Sequence, residues 1–376
     1  VLMIKQAFYF MVLPVKKIKV AVLYGGRSAE HEVSLQSAAA VIKNLDKNKF
    51  EVIPVSIDKQ GHWLVNDLKQ FPLDESAPVK TSVSKELFVP EAIINQTESF
   101  FDVVFPVLHG SFGEDGTMQG LLEILGLPYV GANVLGSAIG MDKVIAKRLA
   151  QADKIPVVPF VTFNTGEWKI SQTALQKRIE KELDYPLFVK PVNAGSSLGI
   201  TKVKKAADLL AAVNLAAEFD TKILVEQALV VREIEVAVLE NLSFGEQPLV
   251  SVLGEINPQH EFYSYEAKYL DDKGAELIIP AVLQERQSEK IKKLAAKVFS
   301  SLACQGMARV DFFIEEATQN VYLNEINTIP GFTKISMYPK LWEASGLSYQ
   351  QLLTHLIELA LARHARLSHL KQSQSL

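Results

Sequence analysis

Arg309-Val310-Asp311-Phe312-Phe313 and Leu323-Asn324-Glu325-Ile326-Asn327 both alternate polar with apolar residues at the period of a strand. Arg309 and Asp311 therefore share one face, Glu325 and Asn327 share a face of their own, and Val310 and Ile326 point the other way. Pairing the two strands would gather three oxygen donors beside a guanidinium. That set suits magnesium, which takes carboxylate, amide and phosphate oxygens and can neutralise a transferring phosphate. Two strands with ordinary solvated faces would alternate in the same way, so the surrounding chain has to decide.

Upstream, Lys190-Pro191-Val192-Asn193-Ala194-Gly195-Ser196-Ser197-Leu198-Gly199 joins a cation at a strand end to a flexible turn rich in hydroxyls and backbone N–H donors. Neither G-x-x-x-x-G-K-[ST] nor a complete G-x-G-x-x-G occurs, which weakens the two commonest phosphate-loop readings. Lys143, in Gly140-Met141-Asp142-Lys143, is a second candidate cation or a solvated helix lysine. Glu226-Gln227-Ala228-Leu229 follows an apolar strand and reads either as a surface turn or as a hinge against adenine, with Glu233 reaching a ribose hydroxyl. Directly after the acidic strand, Asn327-Thr328-Ile329-Pro330-Gly331-Phe332-Thr333 is a turn whose Gly331 N–H could face a developing oxyanion.

The apolar runs give the frame. Ile18–Leu23 leads through Tyr24-Gly25-Gly26 into a helical pattern, and Val52–Ile57, Val103–Leu108 and Pro128–Val130 extend a predicted parallel layer around a helix at Met118–Leu125. A second unit is predicted from a helix at Ser137–Ala152, strands at Phe160–Phe163, Leu187–Lys190 and Ile223–Glu226, and a helical Ala206–Phe219. A third has strands at Glu235–Leu239, Val250–Ile256, Arg309–Ile314 and Val321–Asn327 in a mixed sheet, with helices at Glu285–Gln305 and Tyr349–Arg363. Polar, aromatic Asn257–Glu276 suits a mobile lid.

The chain has 376 residues, enough for two or three domains, and 48% hydrophobic against 22% charged content excludes disorder and long coiled coils. A formal charge of -4 gives no global field for nucleic acid or an anionic membrane. The apolar opening, residues 1–14, is interrupted by Lys5 and falls short of the roughly 20 residues of a membrane span. Its basic residues follow the run, the reverse of a secretory signal, so it reads as an extra tail, a packed segment or, least well, a targeting segment. Cys304 stands alone, which favours a reducing compartment and a packing role. His62, His260, His355, His364 and His369 show no metal-ligand spacing, Trp63, Trp168 and Trp342 read as packing residues, and Lys202–Lys205 as a solvated run.

Taken together with Leu23–Ser34, Leu108-His109-Gly110-Ser111-Phe112-Gly113-Glu114-Asp115-Gly116 and Tyr265-Glu266-Ala267-Lys268-Tyr269, these motifs resemble the D-alanine–D-alanine ligase family of the ATP-grasp superfamily, over roughly Lys17 to Glu358. The resemblance implies an α/β and α+β, three-domain ATP-grasp fold: an extension over 1–16, a substrate domain over 17–133, a central domain over 134–229 and a C-terminal domain over 230–376. It implies ATP contacts at Lys143, Lys190, Ser196, Ser197, Glu226, Gln227, Ala228, Leu229, Glu233, Lys268 and Asn324, with metal at Asp311, Glu325 and Asn327. By the same resemblance Glu30 orients the first D-alanine, His109 lies near it, and Ser196 and Tyr269 join lid to substrate site. Ser336 and Met337 match the second substrate's carboxylate pocket, and Arg309 with Gly331 the oxyanion stabilisers.

The implied reaction joins two D-alanine molecules through an acyl phosphate, with ATP as substrate, two Mg²⁺ or Mn²⁺ ions and a monovalent cation. It would serve peptidoglycan precursor synthesis in a cytoplasmic homodimer without nucleic-acid or membrane partners. Tyr269 and the lid motif around it favour D-alanine over D-lactate or D-serine as acceptor. Two rivals are a carboxylate–amine ligase of other substrates, separable by its product, and a nonenzymatic nucleotide-responsive module, which would bind ATP without substrate-dependent ADP release.

Overall fold

The computed structural model describes residues 16–68, 100–258 and 275–370. The apolar opening and the central lid residues, Lys268 and Tyr269 among them, lie outside the described residues.

The first apolar run forms β1 (Ile18–Gly25), which pairs in parallel with β2 (Phe50–Ile57) and β4 (Val103–Val107), and β3 (Trp63–Val65) adds an antiparallel edge. The order is β3-β2-β1-β4. The strand expected at Pro128–Val130 shrinks to one bridge, Val104 to Tyr129. At the end of β1 the chain must turn sharply into α1 (His31–Asn44), and a Cβ on Gly25 would sit 2.3 Å from the Ile57 carbonyl oxygen. Helix α2 (Thr117–Ile124) follows the Gly113-Glu114-Asp115-Gly116 turn.

The single helix expected over Ser137–Ala152 is two helices, α3 (Val134–Met141) and α4 (Lys143–Ala152). Asp142 makes the break: its backbone is extended and its side chain accepts from the N–H groups of Val144 and Ile145, capping α4. The central sheet is wholly antiparallel. It comprises β5 (Phe160–Asn164), β6 (Leu187–Pro191), β7 (Thr201–Val203) and β8 (Lys222–Gln227), ordered β5-β8-β6-β7. Helices α5 (Thr165–Glu182) and α6 (Leu209–Ala216) cover it; the helical stretch expected over Ala206–Phe219 contracts to a 3₁₀ turn and α6.

The third sheet, β9 (Val231–Leu239), β10 (Leu249–Pro258), β11 (Ala275–Ile278), β12 (Met307–Glu315) and β13 (Val321–Asn327), is antiparallel at every pairing rather than mixed. Its order, β11-β10-β9-β12-β13, explains why. Helix α7 (Glu285–Ser301) leads from the edge strand β11 to the inner strand β12 without making them neighbours, and the short link from β12 to β13 permits only a hairpin. Helix α7 ends before the expected Gln305. Helices α8 (Met337–Ala344) and α9 (Tyr349–Ser368) complete the described chain, α9 running past Arg363.

One apolar core crosses the outer units: Val22, Phe105 and Val107 of the first sheet pack with Leu239, Phe332, Tyr338, Leu353 and Ile357. The central core, including Val161, Trp168, Val189 and Val225, draws on its own sheet and helices. A further core between the third sheet and α7 takes in Ala146, Ala150, Ile155 and Val157. Among the described residues no helix is long and apolar enough to cross a membrane.

Candidate active site

The hairpin of β12 and β13 brings the two alternating polar faces together, and its register sets Arg309 opposite Asn327 and Asp311 opposite Glu325, with a bulge after Asp311. Val310 and Ile326 turn into the core on the other face. Arg309 grips Asp311 with two bonds, Nε to Oδ1 at 2.8 Å and Nη2 to Oδ2 at 2.7 Å, and Asn327 Nδ2 donates to the same Oδ2 at 2.9 Å. Burial opposes the Arg309 charge, but Asp311 and Glu235 outweigh it and raise its pKa well above the ordinary value. Glu325 reaches Lys143 at 3.5 Å, and the same ammonium donates to the Ala194 carbonyl at 2.8 Å. Helix α4 thus ties the acidic hairpin to the Gly195–Gly199 turn.

That turn closes onto the first unit. Ser196 Oγ donates to Glu30 Oε1, and Ser196 and Ser197 take left-handed φ values of 49° and 60°. Glu30 stands just before α1 and is buried. A Cβ on Gly110 would lie 2.5 Å from Glu30 Oε2, and one on Gly195 2.6 Å from it, so both turns approach the carboxylate where a side chain would collide.

His109 joins the first unit to the turn after β13. Its Nδ1 contacts the Ile329 carbonyl at 3.1 Å, so that nitrogen must carry hydrogen. Ser37 Oγ accepts from Phe332 N–H at 3.3 Å and lies 3.1 Å from His109 Nε2, which suits donation from the hydroxyl. This is the neutral tautomer, in line with burial lowering the histidine pKa against the pull of Glu30. Beside it, Glu114 accepts from Gly110 N–H at 2.9 Å. Its carboxyl is pushed up to about 8, first by burial and then by Glu30.

These groups line one cavity of about 470 Å³. Its lining includes Glu30, His109, Lys143 and Ser196, the strand residues Glu233, Arg309, Asp311, Asn324, Glu325 and Asn327, and Gly331, Ser336 and Met337 beyond β13. Ser336 Oγ accepts from Thr333 N–H at 3.0 Å, and a Cβ on Gly331 would be 2.7 Å from that hydroxyl. Lys190, Ser197, Glu226, Gln227, Ala228 and Leu229 are not among the lining residues. Gln227 instead binds the backbone of Asp184, and Ala228 N–H donates to Pro186. Glu226 is held between Lys190 and Lys147, each at 2.6 Å. Burial would raise its pKa, but the two ammonium groups hold it below the ordinary carboxylate range.

Charged residues of this neighbourhood that were not singled out from sequence include Glu114, Lys147, Glu235 and Lys340. Lys147 is one helical turn after Lys143, and Glu235 is two residues after Glu233 on one strand, so helix and strand periodicity both carried a signal. Glu114 lies in the quoted Gly113-Glu114-Asp115-Gly116 turn, where only the fold reveals its neighbours.

Among the described residues, no group of three or more His, Cys, Asp or Glu side chains could hold a metal alone. Two carboxylates and an amide fit a hard cation that completes its shell with phosphate and water oxygens.

Residues 19–132 match the family model described as the D-ala D-ala ligase N-terminus, and residues 149–358 match that of the D-ala D-ala ligase C-terminus. The D-alanine–D-alanine ligase of Caldicellulosiruptor bescii is 50% identical over 368 residues, covering 95% of this chain and 99% of that protein. The one from Natranaerobius thermophilus is 46% identical over 361 residues, covering 93% and 96%. Among solved structures, the D-alanine-D-alanine ligase from Coxiella burnetii superposes with a TM-score of 0.77 at 36% identity, over 94% of this chain and 97% of that one. The D-Ala:D-Ser ligase from Enterococcus faecalis does so with a TM-score of 0.77 at 37% identity, over 92% and 100%. Sequence and architecture agree, and the chain belongs to the D-alanine–D-alanine ligase family, as an enzyme of the ATP-grasp superfamily.

Proposed function

We propose that this enzyme joins two D-alanine molecules at the expense of ATP, supplying D-alanyl-D-alanine for peptidoglycan precursors. The observation that carries this reading is the convergence, in one cavity, of the Glu30–Ser196 pair with the Arg309–Asp311–Glu325–Asn327 face. A buried carboxylate beside a serine suits an ammonium substrate, and an acidic hairpin beside a guanidinium suits a metal-bound polyphosphate.

In this reading Glu30 holds the first D-alanine by its ammonium, near His109. Its carboxylate attacks the γ-phosphorus of ATP, the bond to the bridging oxygen breaks, and ADP leaves. Lys143, Lys190, Lys268 and the Ser196–Ser197 turn hold phosphate oxygens; Glu226 to Leu229 and Glu233 hold adenine and ribose. Magnesium or manganese at Asp311, Glu325 and Asn327 would neutralise the phosphates when bound, with Asn324 as a further ATP contact. The second D-alanine, its carboxylate against Ser336 and Met337, attacks the acyl phosphate with its amine. The amine loses a proton, Arg309 and the Gly331 N–H stabilise the oxyanion, and phosphate departs. Ser196 and Tyr269 join the lid to the substrate site, excluding water that would hydrolyse the intermediate.

The units over 17–133, 134–229 and 230–376 then act as substrate, central and C-terminal domains in a cytoplasmic homodimer. D-alanine is preferred as acceptor because the relatives at 46–50% identity are named for it. The D-Ala:D-Ser ligase at 37% identity makes D-serine the second reading. The test is Mg²⁺-dependent ADP release with D-alanine, L-alanine, D-serine and D-lactate, with mass analysis of products. D-alanyl-D-alanine should dominate. ADP release that does not depend on D-alanine would overturn the reading, and preferred coupling to D-serine would move its specificity.

A further inference from the structure

Asp311 is heavily engaged. Both its oxygens accept from Arg309, and Oδ2 also accepts from Asn327. A cation bound at Asp311 and Asn327 would draw on the same lone pairs, and a guanidinium held only by Asp311 would compete with it. Arg309 has another anion at hand. Glu235 Oε2 lies 3.0 Å from Arg309 Nε, almost as near as Asp311 Oδ1 at 2.8 Å, although Nε carries one hydrogen. Glu235 is 6% exposed and lines the cavity. It stands directly across from Asp311 in the pairing of β9 with β12, so the two carboxylates share one sheet face with the guanidinium between them.

We propose that Glu235 is a positioning residue that takes over the Arg309 guanidinium when a divalent cation engages Asp311, freeing Asp311 for the metal while keeping Arg309 aimed into the cavity. This rests on the proposed roles of Asp311 as metal ligand and Arg309 as oxyanion stabiliser. It gives a buried acidic residue a task that neither the metal nor the substrate reading uses. It also resolves a conflict in the site, where one carboxylate is wanted by both a guanidinium and a metal.

The test is Mn²⁺ binding to the full-length protein–ADP complex, read from the EPR signal of the protein-bound ion, in the unmodified protein, Glu235→Gln, Arg309→Met and the double variant. Glu235→Gln should weaken Mn²⁺ binding about tenfold, because Arg309 then falls back on Asp311 alone. In the Arg309→Met background the same change should shift binding by less than about threefold. Turnover gives a second readout: kcat should drop about tenfold in Glu235→Gln with KM for D-alanine unchanged. Should Glu235→Gln fail to fold, Glu235→Asp, which keeps the charge but withdraws it from Nε, takes its place with the same expectation. Equal weakening in both backgrounds would show Glu235 acting on the cation directly and overturn the hand-over, as would unchanged binding in Glu235→Gln. Absence of Mn²⁺ binding by the unmodified complex would remove the metal site itself, and the hand-over with it.

Discussion

The two outer units and the central unit are built on different terms. Across the outer units, Phe332 touches Phe105, Tyr338 and Tyr349 edge-on, inside a core that runs from β1 to α9. The central sheet with α5 and α6 keeps its apolar residues mostly to itself. It meets α4, which packs on the third sheet, through Lys147–Glu226, Lys222–Asp142 and Lys143–Ala194, and the first unit through Ser196–Glu30, with a small apolar contact at Val144, Val192 and Leu224. Apolar packing is indifferent to charge, whereas ion pairs and hydrogen bonds respond to every phosphate that arrives. A cleft lying between a fused frame and a charge-tethered flap can therefore answer to its ligands on one side only.

The sharpest way to break this contrast is Phe332→Ala. It should cost about 4 kcal/mol and quicken hydrogen exchange in β1 and β9 together, leaving β6 and β8 protected. Equal loss of protection in the central strands would mean that no separate core exists. Next comes Lys147→Met, which leaves the buried Glu226 with Lys190 as its cation. A loss of about 3 kcal/mol in denaturant unfolding is expected, and a neutral result would show that the tether is not electrostatic.

Glu114 sharpens the comparison from the frame side, since its carboxyl rises from 4.5 to about 8 through burial and then Glu30. The folded state holds a proton that the unfolded chain releases, so this group's contribution is complete below its unfolded pKa and is lost as pH climbs through the folded one. Glu114→Gln cannot ionise. Its stability relative to the unmodified protein should therefore rise by about 2 kcal/mol between about pH 6 and about pH 8, read from the difference in Tm. A difference that stays constant with pH would show an ordinary carboxyl there.

The acidic hairpin was legible because alternation along β12 and β13 is a local property, and register adds little to it. The Lys190–Gly199 turn was legible for the same reason, through glycine and hydroxyl content. Asp142 hid its helix break, since a capping aspartate inside an apolar run looks like one polar position of a longer helix. Helix α5 hid more fully: it buries only Trp168 and Ile179 and leaves the helical conformation at Ser171, so its pattern is too sparse to read. The antiparallel third sheet depended on where α7 delivers the chain, a question of topology. Glu235 and Lys147 carried a periodicity signal, but their partners Arg309 and Glu226, like the Glu30 that faces Glu114, are distant in sequence.

Gly110 and Gly195 belong to separate units yet both come close to one carboxylate oxygen, Glu30 Oε2. The fit resembles a latch whose tongue is Glu30 and whose clearance is a missing methyl group on either jamb. Alanine at position 195 would be a doorstop, holding the cleft ajar without touching either hydrophobic core, and so offers a route to isolating the enzyme in its open form.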